Sequence, residues 1–319
     1  MILIRITGEN VVFSLLIVAA TLLVSPAQAA LAEECQGLEK PDNYDEQVQQ
    51  DFLQNFPALS ASLSPLHGPI PHRAGTGAIG LDLSYIPQLD CYQRTVLNFT
   101  KTEDANKTPV LPRPRATFSF PAVKVGKKRV IPYGGFAFVP PVPVSGTYNT
   151  MVSAELGAGM RLSEKGQVGL RLHGTLQRTV GNIAGAFEPG VDPEYDDLYL
   201  SSTTGADLML GYALDKVTPY LSVGLTEVQS FFWIGDNDSS GATVANNLHP
   251  YLGPAISAGA DALVAKRLRL AGELYAAPGG YSDLPGVERS SNVGRAARYG
   301  SIYTGRIRVA YELGRRPQD

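Results

Sequence analysis

From about Thr76 to Gly314, apolar residues fall on alternate positions along one segment after another. A period of two puts successive side chains on opposite faces, so these segments can only be strands with one apolar and one polar face. In Met151–Leu162, Val152, Ala154, Leu156, Ala158, Met160 and Leu162 share one face, and Ser153, Glu155, Gly157, Gly159 and Arg161 share the other. Val168–Gln177 repeats the pattern after a Ser163-Glu164-Lys165-Gly166 turn, with Leu170, Leu172 and Leu176 set against Arg171, His173 and Thr175. Further strands are expected at Gly77–Ile86, Thr95–Lys101, Arg115–Val125, Arg129–Val139, Leu198–Leu214, Val217–Leu225, Leu252–Val264, Leu268–Ala276 and Tyr303–Leu313.

Alternation alone does not distinguish a soluble sandwich from a membrane barrel, since both have strands with unlike faces. Strand length, loop asymmetry and aromatic placement favour the barrel. Several segments are longer than the usual strand of about 5–6 residues and suit tilted membrane strands of about 9–11 residues. Tight connections at 126–128, 163–166, 215–216 and 265–267 alternate with long ones at 140–148, 181–197, 234–248 and 278–298. Tyr148, Tyr199, Tyr220, Trp233, Tyr251, Tyr299 and Tyr303 stand near strand ends, where interfacial girdles form.

Ahead of the alternating region, Val11–Val24 is an apolar run preceded by Arg5 and followed by Ala27-Gln28-Ala29. It reads as a secretory signal peptide over residues 1–29, too short for a spanning helix of about 20 residues. Residues 30–75 are polar and proline-containing, and Val48, Phe52 and Phe56 at i, i+4 and i+8 predict one short amphipathic helix in a periplasmic or plug segment. The barrel is assigned to 76–314 and a tail to 315–319. Cys35 and Cys91 are the two cysteines, and export leaves them where disulfides persist.

With the Ala27-Gln28-Ala29 signal, Gly-rich strands such as Leu156-Gly157-Ala158-Gly159-Met160, and Pro219-Tyr220-Leu221 after a tight turn, the chain resembles bacterial outer-membrane β-barrel proteins in general style. It departs from them at Arg315-Arg316-Pro317-Gln318-Asp319, where a terminal aromatic is usual. The expected fold is an all-β antiparallel transmembrane barrel with a short N-terminal helix. Eleven strands are legible, and twelve are favoured by adding a weak one between 57 and 75; ten is the alternative. With tight turns periplasmic, backward counting puts residues 87–93 in a periplasmic turn, on the same side as Cys35, so a Cys35–Cys91 bridge is expected there.

The polar faces place Asp82, Glu155, Arg161, Arg171, His173, Asp207, Asp261, Arg269, Glu273, Arg306, Arg308 and Glu312 in the lumen. Their signs nearly balance, which fits either a salt-bridged filling or a weakly selective pore. Glu155, Arg161 and Arg171 are expected to form one cluster. A channel or transporter for small solutes is the first functional reading, and a non-conducting structural or adhesive surface barrel is the second. An acyl hydrolase using His173 with Ser153 or Ser222 is the third, and the chain has no G-x-S-x-G elbow. No enzyme activity, cofactor or metal site is assigned; Asp236–Gly241 copies only the opening of a calcium loop, with Asn247 in place of the closing carboxylate. The net charge of −3 disfavours nucleic acid, and outer-membrane lipid is the expected partner.

Overall fold

The structure is a computed structural model that describes residues 35, 37, 39–40, 42, 45–96, 101–103, 109–144, 146–181, 183, 196–234, 243–246, 250–278 and 301–314. Ten antiparallel strands form the wall: β1 (Gly77–Tyr85), β2 (Val110–Ser119), β3 (Lys128–Val144), β4 (Thr147–Arg161), β5 (Gly166–Gly181), β6 (Asp197–Tyr212), β7 (Val217–Ile234), β8 (Leu252–Leu263), β9 (Leu268–Ala277) and β10 (Ile302–Leu313). Each pairs with its neighbour in sequence, and β1 closes on β10 with Gly77 opposite Leu313 and Tyr85 opposite Gly305. The β2–β3 connection and the turns at 162–165, 213–216 and 264–267 lie at one end, here the turn end. The connections that follow β1, β3, β5, β7 and β9 lie at the other, the loop end.

Closure pairs every wall strand on both sides, so the cylinder has no free edge. It also sorts the alternating faces. Leu156, Leu172 and Leu274 point outward and are 64%, 62% and 73% exposed, with Val152, Leu208, Leu225 and Ile307 in the same belt. An apolar surface that encircles a protein needs lipid to cover it. Tyr85, Tyr148, Trp233 and Tyr303 sit outward toward the loop end, and Phe118, Phe120, Tyr212 and Tyr311 toward the turn end. An even number of antiparallel strands, an apolar outer belt and aromatic margins make this the outer-membrane form of barrel. Tyr199, Tyr220 and Tyr251, expected in the girdles, are instead buried.

The N-terminal segment occupies the interior. Helix α1 (Glu46–Ala61) begins at Asp45, whose carboxylate accepts from the Val48 amide at 3.2 Å. Its Phe52, Phe56 and Leu59 pack against inward-facing Val228, Ala255, Tyr275, Ala277 and Ile302. The chain then runs toward the turn end and leaves beside β2, where Gly75 N–H donates to Ser119 O and Ser119 N–H to Thr76 O. Helix α2 (Cys91–Arg94) follows β1 at the loop end, and the Cys35–Cys91 disulfide joins the start of the N-terminal segment to it.

Several sequence expectations are corrected here. The wall has ten strands, not twelve: residues 57–75 complete α1 and the lumen segment, and Thr95–Lys101 is not a wall strand. Thr95–Val96 and Lys101–Thr102 instead form a separate two-stranded sheet. Counting that segment as a wall strand reversed β1, which runs from the turn end to the loop end, so Cys35 and Cys91 meet at the loop end and not at the turn end. β2 starts five residues earlier than expected, at Val110, because outward-facing Pro112 and Pro114 interrupt its apolar pattern. The signal peptide at 1–29, the Asp236–Gly241 loop and the tail at 315–319 lie outside the described residues.

Leu172 sits midway along the apolar face of β5, opposite Leu156 and Ala206. Leu172→Arg is expected to destabilise the barrel by about 2–4 kcal/mol, the range for a lipid-facing arginine near the bilayer midplane. Urea unfolding in lipid vesicles checks this, and a loss below about 0.5 kcal/mol would place the face outside the hydrocarbon.

Candidate functional site

The lumen is the candidate site, and its centre is a peptide held by side chains. Past α1, residues 62–73 are neither helix nor strand, so their peptide groups need other partners. Arginines of the wall take four carbonyls of the segment. Arg113 donates to Ala61 O (2.7 Å), Arg306 to Ser62 O (2.8 Å), Arg171 to Leu63 O (2.6 Å) and Arg115 to Ser64 O (2.9 Å). Leu66, in the left-handed region at φ 51°, turns its N–H to Glu273, which also accepts from the Tyr220 hydroxyl (2.8 Å). Four consecutive carbonyls are thus capped by guanidinium groups from β2, β5 and β10.

Two of these arginines, Arg115 and Arg171, also pair with carboxylates, which offsets the cost of burying their charge, while Arg113 and Arg306 rest on carbonyl and hydroxyl partners. Around one side of the wall the ion pairs form a continuous chain. Asp82 lies between Arg308 (3.5 Å) and Arg115 (3.2 Å). Arg115 continues to Glu155, Glu155 to Arg171 (2.6 Å), and Arg171 to Asp207 (2.7 Å), which faces His173 (3.5 Å). Asp82, Arg115, Glu155 and Arg171 are each no more than 2% exposed. Small residues make these reaches possible: a Cβ on Gly135 would overlap the Glu155 side chain, and one on Gly205 would overlap the His173 ring.

Nearer the turn end the filling becomes tight. Pro69 passes Gly159, Gly169 and Gly211 on β4, β5 and β6; a Cβ on Gly159 or Gly211 would collide with it, and one on Gly169 would press tightly against it. His72 shares a hydrogen bond with the Thr117 hydroxyl at 2.6 Å. A cavity of about 10 Å³ beside Leu66, His67, His72, Asp261, Arg269 and Arg308 is about large enough for one water. Arg269, closer to the rim, pairs with Asp261 (3.1 Å) and Glu312 (2.8 Å). Arg306 stacks on the Tyr275 ring at 4.0 Å from its centroid.

Of the expected lumen residues, Asp82, Glu155, Arg171, His173, Asp207, Asp261, Glu273, Arg306 and Arg308 are buried inside, with Arg269 and Glu312 toward the turn end. Arg161 is not among them: it is exposed at the end of β4, beyond the filling, and the Glu155–Arg171 pair forms without it. Sequence reasoning missed Arg113 and Arg115, which alternate with the prolines of β2, and also His67 and His72. Thr175 donates to Ser153 (3.0 Å) while His173 faces Asp207, so Ser153 and His173, two of the residues considered for a hydrolase, are engaged elsewhere. Among the described residues no cluster of histidine, cysteine and carboxylate groups could hold a metal ion.

No family profile and no curated protein matches the chain. Solved structures that it resembles are bacterial outer-membrane barrels. The Yersinia pestis attachment invasion locus protein Ail, in complex with the heparin analogue sucrose octasulfate, is 12% identical, with 75% of this chain and 99% of that one covered and a TM-score of 0.29. The beta domain of the Bordetella autotransporter Brka is 11% identical, covering 75% and 100%, with a TM-score of 0.38. The Pseudomonas putida toluene transporter TodX is 10% identical, covering 81% and 75%, with a TM-score of 0.33. At such values the likeness carries no functional argument.

Arg171 is the side chain on which Glu155, Asp207 and the Leu63 carbonyl converge. Arg171→Met is expected to cost about 3–5 kcal/mol by leaving buried carboxylates short of a partner. Arg161→Met, at the exposed rim, should stay within about 0.5 kcal/mol. Equal losses in denaturant titrations would show that the buried chain of ion pairs does not hold the lumen together.

Proposed function

We propose that this chain is a stoppered outer-membrane barrel that acts through its loop-end face and does not conduct small solutes while the N-terminal segment is seated. The observation that carries this reading is the burial of the mid-lumen charges around the backbone of residues 61–66. In a water-filled pore those side chains would be wet. Here a balanced set of charges is spent on the segment and on one another, so no ring of one sign is left to select an ion.

The second support is covalent. The segment continues into β1 at the turn end, and the Cys35–Cys91 disulfide ties it to α2 at the loop end. Held at both mouths, it cannot slide out in either direction as a solute passes. This favours the structural or surface role over a channel or transporter for small solutes. With the turns facing the periplasm, the loop-end face and the mouth that carries the disulfide face the cell exterior. Lipid then contacts the outward apolar belt.

Reconstituted in planar bilayers, the intact protein is expected to show no steady unitary conductance at neutral pH. A reproducible open level with the disulfide oxidised would overturn the stoppered reading and restore the channel. Orientation is tested separately: Tyr148→Cys at the loop end should react with a membrane-impermeant maleimide on intact cells, and Lys216→Cys at the turn end only after permeabilisation. The reverse pattern would invert the proposed topology without affecting the closed lumen.

A further inference from the structure

Outside the lumen the exposed charges are sorted by end. The β2–β3 connection carries Lys124 and Lys127, the β4–β5 turn Lys165, the β6–β7 turn Lys216, and the β8–β9 turn Lys266 and Arg267, all exposed. Arg73 is exposed where the N-terminal segment leaves the lumen, two residues before the hydrogen bond that starts alongside β2. Against these, the four connections offer Glu164 and Asp215 as exposed acids, and Glu312 is already bonded to Arg269. The loop end has no such excess: among its described residues Glu39, Asp42, Asp90 and Asp196 are exposed beside Lys40 and Arg178.

These cations occupy the edge of the apolar belt. Leu162 precedes Lys165, Leu214 and Val217 flank Lys216, Val264 precedes Lys266, and every one of these apolar side chains is exposed. The Arg267 guanidinium lies 5.9 Å from the centroid of outward-facing Tyr311. A cation placed just beyond lipid-facing apolar and aromatic groups is at headgroup depth. We propose that the turn end is a cationic collar that binds the headgroup phosphates of anionic phospholipid in the leaflet on that side. The collar runs through all four connections and so around the circumference, as a headgroup layer does; a docked acidic protein would cover one sector. The proposal rests on the membrane placement of the barrel and is independent of whether the lumen conducts.

The test uses the full chain in nanodiscs of equal phosphatidylglycerol and phosphatidylcholine at low salt, with native mass spectrometry counting retained lipids. Each headgroup-level cation is worth roughly fivefold in binding to an anionic surface, so the wild type should retain phosphatidylglycerol at least about tenfold over phosphatidylcholine. Replacing Lys124, Lys127, Lys165, Lys216 and Lys266 together by Gln should bring that preference within about twofold, whereas the matching Lys→Arg variant should keep it. Heat-modifiable gel mobility verifies that each variant is a closed barrel. No preference in the wild type, or a preference unchanged in the Gln variant, refutes the collar. So does poly-glutamate binding in phosphatidylcholine-only discs that the Gln variant loses while no lipid preference exists; that result would give the cations to an acidic protein partner.

Discussion

A peptide that crosses a barrel without joining its sheet has amide and carbonyl groups with no ladder to enter, and leaving them dry and unpaired would cost about 1–3 kcal/mol each. In this protein guanidinium groups take the four carbonyls of residues 61–64. Arginine suits the task because its planar fork offers several donors at once: Arg171 serves Glu155, Asp207 and the Leu63 carbonyl together. The requirement then propagates. Two of the arginines that hold the segment, Arg115 and Arg171, also pair with carboxylates, and Asp82 bridges on to Arg308, so one unpaired strand of peptide is tied to charges from β10 round to β6.

The same requirement explains the distribution of small residues on the inner face. Arg115 on β2 and Glu155 on β4 meet across the face of β3 where that strand presents Gly135, and the His173 ring lies over Gly205 on the neighbouring strand as it faces Asp207. Nearer the turn end glycines make room for Pro69 instead. At the loop end the interior turns apolar, and the Phe52, Phe56 and Leu59 face of α1 finds Val228, Tyr275 and Ile302. The lumen therefore has an apolar upper part, an ionic middle and a close-packed lower part, matching in order the helix, the arginine-held stretch and the proline-containing exit of the segment that fills it.

Much of the wall was legible because alternation is a local property: Leu170, Leu172 and Leu176 against Arg171, His173 and Thr175 reveal their faces without reference to any partner. Strand count and strand direction were not, because both depend on which segments pair. Thr95–Lys101 has strand-like residues but lies outside the wall, and counting it reversed β1 and moved Cys91 to the wrong end. Arg113 and Arg115 were hidden by prolines that face outward, where their missing amides and rigid rings break the usual reading of a strand. Residues 62–75 showed no periodicity at all, since their neighbours are side chains from distant strands and not their own chain. Arg161 followed the inward alternation correctly but stands beyond the end of the filling, and periodicity carries no information on depth.

The Cys35–Cys91 bond closes a covalent ring in which one half lies in the lumen and the other half is β1 of the wall. That ring constrains the order of assembly. If the bond forms before the cylinder does, the segment cannot later be threaded through a finished barrel; it must lie across the curving sheet from the start and be enclosed when β1 meets β10. The contacts of β1 with β10, Asp82 opposite Arg308 among them, then form a seam whose closure traps the segment in the same step. Filling and closing would be a single event, and an empty cylinder would not be an intermediate on that route.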